Sequence, residues 1–568
     1  MKRSLKLMGC AVASAMALTA GGAQAASPYA QFHHIVVIYE ENHSFDNLYG
    51  LWGSVEGEPV NGLAVAPKAK TLQKRQDGTT YACLKQLDVN LTSPPLPATC
   101  TDNGGPTPIS SNFPNAPFPI EAYIASTDTT CPPPGVFATN GIPKGSGQPG
   151  GCTRDIFHRY YSEQYQIDGG KQDHYVTGSD ASGTAMGYYN TTQLPIYTYL
   201  HSAGAPHYVV ADNFYQGAFG GSFLNHQWLV SAAAPVFAGA LNDGSSSDLH
   251  SVVDANGMAT NTPLYTTPLG GQAKDMQLTA SCSPPAGRPA TPAGVTCGDY
   301  AVNTTQPWYQ PYSPGTAAFK RLAPLTNVTI GDRLTAAGVN WAWYSGGWSN
   351  ADGDVGAPGW TNGSNPAAGC TDSDVLATAT YPNCPDKNFQ FHHQAFNYYA
   401  AYAPGTPARA QHLRDEAEFI QKAQSGKLLP VSFIKPIGTE NEHPGYASET
   451  VGSSHLVDLL NAIFQGPEGS DTLVIVTYDE FGGQWDHSSP PSATNRSGSP
   501  HDQWGPGTRI PALILSPAFT HSTVDHAEHD TTSILTTLET RFHLAPLGTR
   551  DAAVSNLFGS AFRTALGL

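Results

Sequence analysis

The sequence predicts an α/β protein with a central, largely parallel β-sheet that is flanked by helices and carries long loop insertions. Short, uninterrupted apolar runs recur along the chain, as expected for strands covered on both faces of a sheet. Helical patterns lie between these runs, and strands that alternate with helices are typical of parallel sheets. The 58 Gly and 46 Pro among 568 residues favour many loops on a folded body.

Six apolar runs are predicted to be strands, and four amphipathic patterns are predicted to be helices. The strands span residues 35–39, 208–211, 339–344, 430–434, 472–478 and 510–515. The helices span residues 330–337, 407–425, 453–465 and 531–543. The second helix has a favourable start, because Thr406 can cap it and Pro407 occupies its first position.

Residues 58–150 and 235–318 differ from the rest, since they are rich in Pro, Gly, Ser, Thr and Cys and show little periodicity. We interpret them as insertions on a single domain that spans residues 26–568. Eight cysteines follow Cys10, and an even number in an exported chain predicts disulfides. Pairing between sequence neighbours gives Cys83–Cys100, Cys131–Cys152, Cys282–Cys297 and Cys370–Cys384.

The N-terminus has the pattern of a secretory signal peptide. Lys2, Arg3 and Lys6 precede an apolar run, and the run ends before the small-residue site Ala23-Gln24-Ala25. Cleavage is expected after Ala25, which predicts a periplasmic or secreted protein.

The net charge is −17, from 28 basic and 45 acidic residues. An acidic surface argues against nucleic acid and anionic membranes as partners, and we expect no obligate protein partner. A small anionic substrate remains compatible with this charge if local groups hold it.

Polar clusters follow three of the predicted strands, where ligands bind in open α/β sheets. Glu41 and Asn42 follow the first strand, and Asp479 and Glu480 follow the fifth. A third cluster, residues 438–445, follows the fourth strand. Carboxylate and amide oxygens suit a hard divalent cation, and without one the clustered carboxylates should have raised pKa values. Helix caps or solvated turns are the alternative explanation.

A serine after paired glycines is the candidate nucleophile. Ser222 follows Gly220 and Gly221 and precedes a run of helix-forming residues. A helix N-terminus there would favour an alkoxide, and a metal would lower the pKa of the hydroxyl. The alternative is that Ser222 only caps the helix. The chain has no G-x-S-x-G elbow, so we do not predict a Ser-His-Asp hydrolase.

Histidine is frequent, with 20 residues, and most are expected to be structural. The candidates for chemistry are His158, His392, His393, His443 and His487. A cationic imidazole beside a metal would suit a phosphate group.

Five motifs together identify a family resemblance: ENHSFDN, GGSFLNH, FHHQ, NEHPG and TYDEFGGQWDH. From about Phe32 to the end, the chain resembles the bacterial phosphoesterase family of acid phosphatases and phospholipases C. That family is similar to the alkaline-phosphatase-like superfamily. The resemblance implies an alkaline-phosphatase-like sheet and a metal-assisted phosphoryl-enzyme mechanism.

The resemblance also implies roles for individual residues. The divalent metal, of unknown identity, would be held by Glu41, Asn42, Asp479 and Glu480 and contacted by the nucleophile Ser222. The phosphate pocket would be lined by His158, His393 and His443, with substrate contacts from Asn225, His226, His392 and His487. His392 and His393 are interchangeable in this assignment, and Asp486, His487 and His526 are weaker candidates.

Two departures favour the acid phosphatase branch, which hydrolyses phosphate monoesters through a phosphoserine. The phospholipase C branch typically has Thr-x-Pro-Asn-Arg where this chain has Ser222-Phe223-Leu224-Asn225-His226, without the proline and arginine. That branch also commonly carries extra C-terminal modules, which are not expected here because the chain ends near Leu568. A phospholipase C that cleaves lipid head groups is the alternative, and a non-catalytic metal-binding protein is a second. A pocket dependent on imidazolium, with an unperturbed pKa of ~6.5 that carboxylates would raise, predicts activity below neutrality.

Overall fold

The computed structural model describes residues 27–85, 97–105, 108–126, 156, 158–179, 181–236, 277–278, 300–313, 315–318, 321–362, 385–386, 388–494 and 498–568. The signal-peptide prediction and the disulfides predicted for Cys131, Cys152, Cys282, Cys297, Cys370 and Cys384 lie outside these residues.

An eight-stranded sheet organises the described part of the chain. Its strands are β1 His34–Glu40, β2 His207–Ala211, β3 Trp341–Ser345, β4 Leu413–Asp415, β5 Val431–Lys435, β6 Thr472–Tyr478, β7 Ala512–Ser516 and β8 Thr523–Asp525. They lie side by side in the order β4-β3-β5-β1-β6-β7-β2-β8. Only β7 is antiparallel to its neighbours among these strands, so the predicted largely parallel sheet is confirmed.

The centre of the sheet is β1, between β5 and β6. All seven residues of β1 and all seven of β6 are buried, as expected for strands covered on both faces. The register pairs His34 with Thr472 and continues to Glu40 opposite Tyr478. The two strands therefore end side by side, and the residues that follow them leave the sheet at one place.

Thirteen α-helices accompany the sheet in the described residues. They are α1 Phe45–Leu48, α2 Lys68–Thr71, α3 Tyr160–Ile167, α4 Pro195–Leu200, α5 Ser222–Ser231, α6 Ile330–Ala336, α7 Trp348–Asp352, α8 Pro407–His412, α9 Glu416–Ser425, α10 Glu449–Phe464, α11 Pro491–Thr494, α12 Thr532–Phe542 and α13 Ser560–Ala565. None of the described helices is long and apolar enough to cross a membrane.

The prediction of one continuous helix over residues 407–425 is wrong. The span 407–425 is two helices, α8 and α9, separated by the short strand β4. Trp343 of β3 pairs with Leu413, and this edge pairing ends α8. The Asp415 carboxylate then accepts a hydrogen bond from the backbone N–H of Ala417 and caps α9. The predicted cap at Thr406 is confirmed, since its side chain accepts from the N–H of Arg409.

Short strands pair within the described part of residues 58–150. Cys83–Leu84 pairs with Phe113–Pro114, and Cys100–Asp102 pairs with Ile109–Ser111. The predicted disulfide Cys83–Cys100 is confirmed and joins these two pairs of strands.

Candidate active site

Two loops that leave neighbouring strands form the base of the site. Glu41 and Asn42 follow β1, and Asp479 and Glu480 are adjacent to the end of β6. The backbone N–H of Asn42 donates to Oδ1 of Asp479 over 3.2 Å, and all four side chains are at most 1% exposed. The sequence prediction that these polar clusters meet at one edge of the sheet agrees with this placement.

A glycine permits the close approach of the two loops. Gly482 has a φ of +62°, and a Cβ there would lie 2.2 Å from the carbonyl oxygen of Asn42. Any other residue would push the Asn42 loop away from Asp479 and Glu480.

Ser222 is the first residue of α5, and Gly221 occupies the cap position without a side-chain hydrogen bond. Ser222 therefore does not cap the helix. Its Oγ lies 3.1 Å from Oε2 of Glu41, 3.3 Å from Oδ1 of Asn42 and 3.4 Å from Oε1 of Glu480. A hydroxyl carries one proton, so it cannot satisfy three acceptors at once.

The carboxylates of the site have raised pKa values, as expected from the sequence. Burial is the largest cause for Glu41, Asp479 and Glu480, and repulsion from Asp479 further raises the pKa of the two glutamates. Lys435 pairs with Oε1 of Glu41 and lowers the pKa values of Glu41 and Asp479, against the effect of burial. Oδ2 of Asp479 is buried and has no hydrogen-bond partner in the described part of the chain.

This donor set fits a hard divalent cation. Three carboxylates, the Asn42 amide oxygen and the Ser222 hydroxyl converge, and an unpartnered buried carboxylate oxygen calls for a positive partner. Glu41, Asn42, Asp479, Glu480 and Ser222 are the residues that would hold it.

Three histidines predicted for the phosphate pocket surround these oxygens. Nε2 of His158 lies 3.1 Å from Oε1 of Glu480, and Nε2 of His443 lies 3.1 Å from Nδ2 of Asn42. Nδ1 of His393 lies 3.0 Å from Oε1 of Glu41. The structure therefore brings His158, His393 and His443 to the candidate metal ligands.

Backbone carbonyls set the orientation of two of these rings. Nδ1 of His158 contacts the carbonyl oxygen of Ile156, and Nδ1 of His443 lies 2.8 Å from that of Pro444. Because a carbonyl only accepts, Nδ1 carries the proton in both rings. A neutral ring then presents an unprotonated Nε2 to the site.

The expectation that carboxylates raise the histidine pKa values is wrong here. Burial lowers the pKa of His158 to about 4 and that of His392 to about 3. Burial also places the pKa values of His226, His393 and His443 well below the ordinary value. Lys435 adds to the shift for four of them, all except His158. The imidazoles are therefore neutral proton acceptors.

Two residues predicted to contact substrate make hydrogen bonds next to Ser222. Nδ1 of His226 donates to the carbonyl oxygen of Ser222 over 2.7 Å, and its ring stacks on His393. The Asn225 amide accepts from the N–H of Ala218 and donates to the carbonyl oxygen of Gly220. Asn225 therefore fixes the turn before Ser222.

The other candidates occupy different positions. His392 is half-buried, with its ring 4.2 Å from that of His393. His487 contacts Asp46 over 2.6 Å in a second cluster with Asp486 and Arg509. His526 pairs with Asp212 over 2.9 Å. The structure therefore places His392 beside His393, whereas His487 pairs with Asp46 and His526 pairs with Asp212.

Sequence reasoning missed two residues that hold the loops. Arg509 is completely buried and donates to Asp46 and Asp486, which follow β1 and β6. Glu163 accepts hydrogen bonds from the N–H of Gly220 and from Thr508. No local motif marks either residue, because their partners are far away in the sequence.

Several curated proteins are similar to parts of this chain. A non-hemolytic phospholipase C of Burkholderia pseudomallei is 27% identical over 38% of the chain and 32% of its own length. Phospholipase C B of Mycobacterium tuberculosis is 30% identical over 25% of the chain and 30% of its length. Non-specific phospholipase C6 of Arabidopsis thaliana is 26% identical over 24% of the chain and 31% of its length. The chain spans about a third of the length of these relatives.

Among solved structures, the chain matches a Vibrio parahaemolyticus protein in the alkaline phosphatase superfamily. That protein is 12% identical, with a TM-score of 0.22, and the match covers 40% of this chain and 51% of that one. A 2-O GAG sulfatase is also 12% identical, with a TM-score of 0.27 and coverage of 68% and 71%. The family match is far more extensive. A model of the Phosphoesterase family matches residues 32–545, which is most of the chain, and the protein therefore belongs to that family.

Proposed function

We propose that the protein hydrolyses phosphoric esters with Ser222 as the nucleophile. The observation that carries this proposal is the Ser222 hydroxyl, which faces Glu41, Asn42 and Glu480 within 3.4 Å. When bound there, a divalent cation lowers the pKa of the hydroxyl and offsets charge on the phosphoryl oxygens. The match to the Phosphoesterase family over residues 32–545 argues against the non-catalytic alternative.

In the proposed reaction, Ser222 is the nucleophile and a histidine transfers the proton. Ser222 Oγ attacks phosphorus in line, the bond to the ester oxygen breaks, and a phosphoserine forms. The unprotonated Nε2 of His158 or His443 accepts the serine proton and delivers it to the leaving oxygen. Water then attacks the phosphoserine, giving its proton to the same imidazole, and the serine leaves protonated. Neutral histidine is suited to this exchange because it can first accept.

Within this class, we propose a phosphate monoesterase, an acid phosphatase, with phospholipase C as the second candidate. The sequence Ser222-Phe223-Leu224-Asn225-His226, which lacks the proline and arginine typical of phospholipases C, supports the monoesterase. The names of the relatives support phospholipase C.

A paired assay separates these candidates. The purified full chain is given a nitrophenyl phosphate and, separately, the matching nitrophenyl phosphocholine diester, with kcat/KM measured for each. A higher kcat/KM for the monoester supports the acid phosphatase. A higher value for the diester rejects it in favour of phospholipase C, and no turnover of either ester by metal-loaded protein rejects both.

We also infer that the protein is exported to the periplasm or secreted. The charged and apolar N-terminal pattern and the disulfide Cys83–Cys100 support this inference, because disulfides persist in oxidising compartments. N-terminal sequencing of the mature protein tests it, with Ala26 expected as the first residue.

A further inference from the structure

A second group of acidic residues and histidine lies outside the proposed catalytic site. Nε2 of His455 is 2.8 Å from Oε1 of Glu416 and 3.7 Å from Oε2 of Glu440. One ligand atom from each residue lies within 4.8 Å of the others. Glu416 begins α9, His455 belongs to α10, and Glu440 lies in the loop that also carries His443. The group therefore joins three separate elements.

This group has more carboxylate oxygens than it has donors. Glu416 is 4% exposed, and its Oε2 has no hydrogen-bond partner in the described part of the chain. Buried carboxylate oxygens are normally satisfied, so this vacant acceptor points to a missing positive partner.

Solvent can reach the group from one side. A cavity of about 460 Å³ lies between α9 and α10, and its lining includes Ile420, Asp458 and His455. The Glu440 side chain is 41% exposed. His455, which lines this cavity, and the partly exposed Glu440 are therefore the members of the group that solvent reaches.

We propose that Glu416, Glu440 and His455 form a second divalent-cation site, of the class that takes Zn²⁺. Carboxylate oxygen and imidazole nitrogen are zinc ligands, and three protein ligands with one open position are common. The bound cation would replace the proton between Nε2 of His455 and Oε1 of Glu416, which lie 2.8 Å apart. It would also fix the loop of His443 to α9 and α10. This proposal does not depend on the proposed catalytic function.

Zinc binding by the metal-free full chain tests the proposal. Zn²⁺ is titrated calorimetrically into the wild type and into the Glu440→Gln and His455→Asn variants, and bound zinc is counted after dialysis. We expect each variant to lose one zinc equivalent per chain and part of the zinc-induced rise in Tm. Glu440 is at the surface, so Glu440→Gln should fold even if His455→Asn does not.

A matched control and a second background complete the experiment. Glu418→Gln changes a carboxylate on the same helix that pairs with Arg414 and Lys422, and it should retain all the zinc. The titration is repeated with Asp479→Asn, in which the catalytic site is weakened. Adding Glu440→Gln to this variant should still remove one bound zinc per chain, even if the catalytic site binds no metal. Equal zinc counts and equal Tm shifts in the wild type and Glu440→Gln would overturn the proposal and leave the group as an ion pair.

Discussion

Ser222 shows how a common residue acquires an uncommon environment. Its hydroxyl is 4% exposed and faces oxygens from both ligand loops, while the N-terminus of α5 lies behind it. Serine is a weak nucleophile in water, so the surrounding groups must supply its reactivity.

Replacement of Ser222 by alanine should remove most of the turnover. We expect kcat to fall by more than about a thousandfold, because the Ser222 hydroxyl is the group that forms the covalent intermediate in this mechanism. The measurement is kcat with a chromogenic phosphate ester, together with binding of inorganic phosphate, which should persist. Ser231→Ala is the matched control, since Ser231 lies in the same helix and its hydroxyl donates to the carbonyl oxygen of Gln227. Turnover near the wild-type value in Ser222→Ala would reject the nucleophile assignment.

Arg509 joins the two ligand loops through a buried network. Its guanidinium donates to Asp46, to Asp486 and to the carbonyl oxygens of Asn61 and Asp212. Lysine cannot reproduce this planar set of bonds. Arg509→Lys should lower the free energy of unfolding by roughly 3–5 kcal/mol, because it leaves buried carboxylates without partners.

Chemical denaturation of Arg509→Lys measures this loss. Arg541→Lys is the control, because Arg541 is closer to the surface and donates to the carbonyl oxygens of Ala30 and Phe32. A change below about 1 kcal/mol in Arg509→Lys, similar to ordinary surface substitutions, would contradict the role of the network.

At the scale of elements, the strand ends were predictable and their supports were not. The end of an apolar run is visible in the sequence, so Glu41, Asn42, Asp479 and Glu480 follow from the position of β1 and β6. The break at Leu413 in the predicted helix 407–425 comes from pairing with Trp343, a partner that the local pattern does not contain. Propensity within the helix is overridden by this tertiary contact.

Glu163 of α3 is the support that positions the turn before α5. Its carboxylate accepts from the N–H of Gly220 over 2.5 Å, from Gln216 over 3.0 Å and from the N–H and hydroxyl of Thr508 over 2.7 and 2.8 Å. Burial raises its pKa to about 7. An amide offers one acceptor oxygen where the carboxylate offers two, so Glu163→Gln should displace the Gly220 turn and Ser222.

The expected result for Glu163→Gln is a fall in kcat of about a hundredfold with a much smaller change in KM, since a small misplacement of a nucleophile has this effect. Steady-state kinetics measures both constants, and Glu418→Gln on α9 serves as the control. A change in KM alone, with kcat retained, would show that Glu163 does not position the nucleophile.

At the scale of the whole molecule, the sequence predicted the sheet and the ligand loops, whereas the electrostatics needed the fold. The partners Arg509 and Asp46 are 463 residues apart, so no local pattern joins them. The direction of the histidine pKa shifts was predicted wrongly. The sequence shows that the motifs contain carboxylates, but it does not show that His158 and His393 are buried in the fold. Burial outweighs those neighbours.

The pair of His455 and Glu416 should make global stability depend on pH. Burial lowers the pKa of His455, but Glu416 and Glu440 overcome this and raise it to about 9. An unfolded chain titrates histidine near ~6.5, so the folded state holds the proton more tightly. The contribution of this pair to the free energy of unfolding is therefore complete below about pH 6.5 and is lost as the pH rises toward 9, by about 3 kcal/mol at most.

Denaturation of the metal-free protein between about pH 6 and pH 9.5 should show this loss of stability, and the His455→Gln variant should show a smaller one. Equal pH dependence in the two proteins would mean that the folded state does not hold a proton on His455.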